Sequence, residues 1–145
     1  MIKYEVTEGF PSEQLSELEA LLTGFKVESF IAQFEYRQKV LCCFAWDNSK
    51  IIGCKIGFEE RPGYFQSATG EVDTKYRNQG IATKLLELQH EWCKANGFVF
   101  INTHTSGDNT PMLILNLKAG FEICGFQVDR HEIYNVSLQK QIGKK

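Results

Sequence analysis

The spacing of apolar residues changes several times along the chain, and each change marks a predicted element. Residues 2–7 have the pattern of a short strand. Pro11-Ser12-Glu13 then opens a stretch with leucines at helical spacing, and a second apolar stripe covers roughly residues 26–36. We expect these two helices to lie over one side of a sheet.

Three strands follow in direct sequence. Residues 39–46 form a nearly continuous apolar run, and residues 51–59 and 64–73 form two further runs. Turn-forming residues separate them at 47–50 and 61–63. Short connections of this kind predict an antiparallel meander.

The spacing of apolar residues then becomes helical again. Residues 80–96 carry an apolar stripe, and Gly97 stands where a helix is expected to end. Four elements follow: a strand over 98–102, a helix from Asn109-Thr110-Pro111 to Gly120, and strands over 121–128 and 131–140. The predicted order is βααβββαβαββ.

Composition narrows the class of protein. The chain has 145 residues, which indicates a single domain over 1–145. The net charge is −2 and no basic stripe stands out, so we expect no nucleic-acid partner. No apolar run is long enough for a membrane span, and the first residues do not have the pattern of a signal peptide.

The five cysteines point to a reducing compartment. They are odd in number and form no CxxC motif, and the three histidines lack the spacing of metal ligands. We therefore expect a cytoplasmic protein with buried thiols, Cys93 and Cys124 among them, and no metal site.

The stretch Val72–Ala82 is the part of the sequence that indicates a ligand site. It leaves a predicted strand, forms a loop and enters the helix over 80–96, so backbone N–H groups at the helix start are available to an anion. Gly80 permits close approach of a phosphate, and Arg77 can add a charged contact. We expect a pyrophosphate at this helix N-terminus.

This loop has other interpretations. An ordinary strand–helix connection can have the same sequence. A P-loop requires GxxxxGK[ST], but Ile-Ala-Thr follows Gly80, and a dinucleotide fingerprint requires three spaced glycines where this chain has one.

Two blocks in this order resemble the GNAT (Gcn5-related) N-acetyltransferases. Arg77, Gly80 and Ala82 occupy the key positions of the (Q/R)xxGx(G/A) signature. A second block runs from Asn109 to Gly120-Phe121, as in that family. The resemblance is clear over about 64–140, where the last strand also fits, and only topological over 1–63.

The resemblance implies an α/β (α+β) fold with a mixed central sheet of about seven strands and four flanking helices. Strands 4 and 5 of this sheet would splay apart, with the pantetheine of acetyl-CoA in the gap. Acetyl-CoA is the implied co-substrate. The residues implied to bind it are Val72, Asp73, Thr74, Arg77, Asn78, Gln79, Gly80, Ile81, Ala82, Thr83, Asn109, Asn116 and Lys118.

The resemblance also implies direct attack of an amine on the thioester, with a backbone N–H near Val72 polarising the carbonyl. Many members carry a Tyr, the acid for the leaving thiolate, where this chain has Asn116. Asn cannot donate a proton in that way, although a thiol of pKa ~8.5 can leave as thiolate. Asn116 would then hydrogen-bond the sulfur or the pantetheine instead, and Tyr134 is the candidate for a substitute acid.

Glu71 is our candidate for the base that deprotonates the amine. A solvent-facing or salt-bridged residue is the plainer interpretation of Glu71. His104 could face the acceptor, with a structural hydrogen bond as the alternative. Glu35 and Tyr36 could line the acceptor side, with helix-surface residues as the plainer interpretation. The acidic bias of Glu28, Glu35, Glu59 and Glu60 favours a cationic acceptor, with a solvated surface as the alternative.

We therefore expect an acyltransferase that moves the acetyl group of acetyl-CoA to a primary amine of a small molecule or peptide. A non-catalytic acyl-CoA sensor of the same fold is the alternative, because Asn116 replaces the Tyr. A third alternative is a small domain with an unrelated ligand. The identity of the acceptor and the presence of a homodimer stay open at this stage.

Overall fold

The chain forms a mixed α/β structure, seen here in a computed structural model that describes residues 1–129 and 132–144. The predicted order of seven strands and four α-helices is confirmed. The strands are β1 Ile2–Glu8, β2 Gln38–Asp47, β3 Lys50–Arg61, β4 Tyr64–Val72, β5 Phe100–Ser106, β6 Glu122–Val128 and β7 Tyr134–Gln141. The helices are α1 Leu15–Leu21, α2 Val27–Phe34, α3 Ile81–Ala95 and α4 Thr110–Lys118, and a 3₁₀ turn covers Thr74–Tyr76.

One sheet contains all seven strands, in the order β1-β2-β3-β4-β5-β7-β6. Neighbouring strands are antiparallel except β4 and β5, which run parallel. Their pairing is limited to residues 64–67 of β4 and 100–103 of β5. Beyond Ser67 and Thr103 the two strands diverge, which confirms the predicted splay and opens a gap in the middle of the sheet.

The core lies on both faces of the sheet. On one face α3 packs through Ile81, Leu85 and Cys93 against Ile52 and other strand residues. On the other face α1 and α2 pack their buried leucines and phenylalanines against the sheet. β2 is buried from Val40 to Ala45 because both of its faces are covered, as its continuous apolar run predicted.

Two predicted boundaries were wrong. α1 begins at Leu15, not at Pro11, because the Gln14 N–H donates to the Pro11 carbonyl in a preceding turn. β5 covers Phe100–Ser106 and not 98–102. The N–H of Phe98 instead donates to the Cys93 carbonyl at the end of α3, so the strand begins later and continues into polar residues.

Cysteine burial was predicted correctly for four of the five thiols and wrongly for Cys124. Cys42, Cys43, Cys54 and Cys93 are buried, whereas Cys124 is exposed. Cys124 lies at a register shift in β6, an edge strand whose residues are mostly exposed. The predicted last strand started at residue 131, which lies outside the described residues together with Arg130 and Lys145.

Candidate functional site

The divergence of β4 and β5 produces a cleft of about 180 Å³, called here the β4–β5 cleft. Backbone and side chains of both strands form two of its walls, and the start and middle of α4 form a third. Hydroxyl and amide groups predominate over large apolar side chains. The lining residues are Lys55, Ser67, Ala68, Thr69, Gly70, Thr103, His104, Thr105, Ser106, Asn109, Met112 and Asn116.

The turn before α3 adopts a conformation that exposes backbone amides. Asn78 has a φ of 63° and Gly80 a φ of 80°, both in the left-handed region. Gly80 is the N-cap of α3 and supplies no side chain to cap it. The first helical hydrogen bond is donated by the Lys84 N–H to the Gly80 carbonyl, so the amides of residues 81–83 have no partner within the helix.

These unpaired amides and the helix dipole make the start of α3 suitable for a phosphate group. The turn is exposed, and a β-carbon added at Gly80 would meet no atom within 4 Å. Gly80 is therefore needed for its left-handed φ and not to relieve crowding. Arg77, Asn78, Gln79, Ile81, Ala82 and Thr83, which the sequence assigned to the pyrophosphate, all lie in this turn or in the first turn of α3.

Asp73 organises the turn from its strand side. Its Oδ1 accepts a hydrogen bond from the Lys75 N–H at 2.9 Å, and its Oδ2 lies 3.6 Å from Nζ of Lys50. The Lys75 amide, followed by the charge of Lys50, holds the pKa of Asp73 below its usual value. Asp73 thus fixes the loop beside Thr74, while Asp73 itself is occupied by partners within the chain.

Val72 directs its backbone toward the cleft edge of β4. The Asp73 N–H donates to Ile52 of β3, and neighbouring residues of a strand point their N–H groups to opposite sides. The Val72 N–H therefore points away from β3, toward the diverging side. The carbonyl of a strand residue points to the same side as its N–H, and the Val72 carbonyl accepts a hydrogen bond from Arg77 Nε at 3.1 Å.

Two asparagines form hydrogen bonds in the cleft wall that α4 provides. Asn109 is the N-cap of α4, and its Oδ1 accepts from the Met112 N–H at 3.3 Å. Asn116 is 2% exposed, and its Nδ2 donates to Oγ1 of Thr105 at 3.1 Å. Both line the β4–β5 cleft.

Two candidates for the base, Glu71 and His104, lie on β4 and β5. The carboxylate of Glu71 accepts hydrogen bonds from the backbone N–H and the hydroxyl of Thr23, at 3.3 and 3.1 Å. Glu71 thereby links β4 to the connection between α1 and α2. His104 lines the cleft, and its Nδ1 lies 3.1 Å from Oγ of Ser137.

Of the predicted site residues, Asn109 and Asn116 line the cleft, whereas Tyr134 and Lys118 lie neither in its lining nor in the segment 71–83. Tyr134 is 58% exposed, packs against the ring of Phe126, and accepts a backbone hydrogen bond from Gly107. Lys118 is exposed at the last position of α4. Glu59, weighed for the acceptor side, forms an ion pair with Lys39 at 3.4 Å instead.

Lys55 and the hydroxyl-bearing residues of the cleft were not predicted from the sequence. Ser67, Thr69 and Thr103 lie where β4 and β5 separate, and no local motif marks that point. Lys55 did leave a signal, because it interrupts the apolar run of β3 between two glycines. A charged residue at such a position indicates either an ion pair or a functional site.

Within residues 1–129 and 132–144, no group of three or more His, Cys, Asp or Glu side chains is arranged to hold a metal ion. Across the same residues, every helix is too short or too polar to cross a bilayer.

Comparison with known proteins agrees with this geometry. Residues 8–121 match the family model described as Acetyltransferase (GNAT) family. The fold is similar to the ribosomal-protein-S18-alanine N-acetyltransferase from Escherichia coli, with a TM-score of 0.83 and 14% identity over 99% of this chain and 96% of that one. No curated protein sequence matches the chain significantly.

Two further solved structures show the same similarity. The IAA acetyltransferase from Bacillus cereus ATCC 14579 has a TM-score of 0.78 and 21% identity, covering 97% of this chain and 99% of that one. A chain of the NatC complex, solved with Gag peptide and CoA bound, has a TM-score of 0.78 and 20% identity, covering 98% and 99%.

Proposed function

Because the chain belongs to the GNAT acetyltransferase family, we propose that it transfers the acetyl group of acetyl-CoA to a primary amine of a small molecule or peptide. The observation that carries this proposal is the exposed, uncapped start of α3 at the end of β4, next to the β4–β5 cleft. An anion site followed by a cleft suits a ligand with a diphosphate and a pantetheine chain.

The turn supplies the diphosphate site in this proposal. The amides of Gly80 and residues 81–83 would donate to phosphate oxygens, with Arg77 and Asn78 beside them. Val72, Asp73 and Thr74 would line the start of the pantetheine chain. Asn109 and Asn116 would contact the chain from α4, and Lys118 stays a candidate for a peripheral contact.

The edge of β4 supplies a hydrogen-bond donor for the thioester carbonyl. The Val72 N–H points toward the diverging side of β4 and is suited to stabilise the oxyanion that forms on the thioester carbonyl. Holding the amine and the thioester together in one cleft supplies much of the remaining acceleration.

The amine must lose a proton before or during attack, and His104 and Glu71 are the candidates for the base. The geometry favours His104, because it lines the cleft and its Nδ1 contact with Ser137 leaves Nε2 available. Both oxygens of Glu71 already accept hydrogen bonds from Thr23. Tyr134 stays the candidate acid of the sequence analysis, although it does not line the cleft.

A sensor that binds acyl-CoA without chemistry is the second candidate function. The observation that favours it is Asn116, which is buried and bonded to Thr105 where the family carries a phenol.

The free thiols of the five cysteines fit the cytoplasmic location that we also propose.

An acetyl-transfer assay tests the proposal. The purified chain is mixed with acetyl-CoA and a panel of polyamines, amino acids, aminoglycosides and peptides with free N-termini, and release of the CoA thiol is followed. We expect amine-dependent release well above hydrolysis. Tight CoA binding with no transfer to any amine would favour the sensor, and absence of CoA binding would contradict both functions.

A further inference from the structure

A lysine occupies the middle of β3 on the sheet face that α3 covers. Alternation along β3 places Lys55 on this face between Gly53 and Gly57. Gly53 is close to Ile81 and Leu85 of α3, which identifies the face. Lys55 is partly buried there and lines the β4–β5 cleft.

The side chain of Lys55 extends over a glycine of the neighbouring strand. Gly70 of β4 is its partner in register. A β-carbon added at Gly70 would lie 3.6 Å from Cγ and 3.7 Å from Nζ of Lys55. The missing side chain at position 70 therefore leaves room for the ammonium group at the cleft wall.

No anionic partner offsets this charge. Among the described residues, the ion pairs are Lys39 with Glu59 and Lys50 with Asp73, and Lys55 has none. The titratable groups around it come from several elements. They are Cys43 of β2, Cys54 of β3, His90 of α3 and, across the cleft, His104 of β5.

The nearest of these groups carry no charge near pH 7. Burial raises the pKa of Cys43 and Cys54 to about 12, so both thiols are neutral. Burial lowers the pKa of His90 to about 4, so its imidazole is neutral as well. The same desolvation lowers the pKa of Lys55. A lysine without a carboxylate partner at a partly buried position costs stability, which indicates a role in function.

The cleft joins Lys55 to the position where the family's phenol is missing. Asn116 and Lys55 line the same cavity, and Asn116 cannot donate a proton to a leaving group. Besides the oxyanion beside Val72, acetyl transfer produces a second anion in this cleft, the leaving CoA thiolate. We propose that the ammonium group of Lys55 stabilises this leaving thiolate, an inference that rests on the acetyl-transfer function proposed above.

The amine nitrogen forms a bond to the thioester carbon, and the proton that it loses goes to the base. The C–S bond then breaks, and its electron pair stays on sulfur as a thiolate. Lys55 keeps its proton and stabilises that negative charge through a charge-assisted contact, so no further reactant is needed.

The ionisation of the thiol in bound CoA tests this assignment directly. Ultraviolet absorbance of the thiolate is titrated for CoA bound to the protein, and the same titration with desulfo-CoA is subtracted to remove the protein's own groups. We expect a thiol pKa at least about one unit below that of free CoA. Calorimetry with CoA is run in parallel to establish that the ligand is bound.

Three variants make the test specific. Lys55→Met should return the pKa of the bound thiol to that of free CoA, and Lys55→Arg should keep most of the shift. Lys94→Met removes an exposed cation at the end of α3 and should behave as wild type. Lys55→Met removes an unpaired charge and is expected to raise the melting temperature, so loss of folding is not the anticipated outcome.

Kinetics give a second readout. Lys55→Met should lower kcat by about 10- to 100-fold with little change in KM for acetyl-CoA, because the contact forms as the thiolate departs. A bound thiol that titrates as in free CoA in the wild type would overturn the assignment. So would a Lys55→Met variant that loses only selectivity for acyl groups carrying a carboxylate. Failure of CoA to bind at all would instead overturn the acetyl-transfer function itself.

Discussion

Asn116 of α4 donates a hydrogen bond from Nδ2 to Oγ1 of Thr105 on β5, at 3.1 Å, and both side chains are buried in the wall of the cleft. This contact ties a helix to one of the two diverging strands. It also occupies the amide of the residue that replaces the family's phenol. The bond therefore bears on both the stability of the cleft and the fate of the leaving thiol.

We predict that Asn116→Ala lowers the free energy of unfolding by about 2 kcal/mol, because a buried hydroxyl loses its partner and a cavity forms. Thr105→Val, which keeps the shape, should cost a similar amount by leaving the amide unpaired. Urea unfolding of both variants and the double variant measures the coupling. Additive effects of the two substitutions would show that the bond contributes nothing.

Two glycines flank α3 and provide a matched pair for the phosphate site. Gly80 and Gly97 both have a φ of 80°, and a β-carbon at either would meet no atom within 4 Å. We predict that Gly80→Ala and Gly97→Ala each cost about 1 kcal/mol of stability from the left-handed backbone. Only Gly80→Ala should weaken CoA binding, by 10-fold or more in calorimetry. Equal CoA affinities in the two variants would argue against a phosphate at the start of α3.

The base can be identified by comparing His104 with Glu71. We predict that His104→Asn lowers kcat/KM for the amine by about 100-fold, the scale of general base catalysis. Glu71→Gln should lower it by less than about 10-fold, because its contacts with Thr23 are structural. Ser137→Ala, which removes the partner of Nδ1, should fall between them. The reverse order of losses would reassign the base to Glu71.

The pH dependence of stability reports on His90. Its folded-state pKa is about 4, below the unfolded value of 6.5, so the unfolded chain binds the proton first as pH falls. The contribution of His90 is full above pH 6.5 and is lost between pH 6.5 and 4. We expect this loss to be on the order of 2 kcal/mol, after allowance for the exposed part of the ring.

A His90→Asn variant supplies the control for this effect. Urea unfolding of both proteins at pH 7.5 and 5.0 should show a smaller loss of stability in the variant. Lys140 Nζ lies 3.4 Å from Nδ1 of His90, and its positive charge adds to the effect of burial. Equal losses in the two proteins would show that His90 is not the group that titrates.

The order of elements was predictable because apolar spacing is a property of the sequence itself. Helix α3 and strand β2 follow directly from their apolar residues, since each must bury them against a neighbour. The start of β5 was not predictable, because Phe98 is apolar but caps the end of α3. The polar end of β5 extends as a strand because it pairs with β7, which is distant in sequence.

The site was predictable where one short segment forms it. Gly80 and its neighbours lie together in sequence and in space, so a motif could find them. The cleft depends on two strands that diverge, so Ser67, Thr103 and His104 come together only in the fold. Cys124 was assigned to the core because its neighbours are apolar, but β6 is an edge strand that leaves it exposed.

A crystal structure of the chain with CoA tests the central claim most directly. We predict diphosphate oxygens within about 3 Å of backbone nitrogens at Gly80 and residues 81–83, and a pantetheine chain between β4 and β5. CoA bound elsewhere on the protein, or an empty turn before α3 at saturating CoA, would contradict the account.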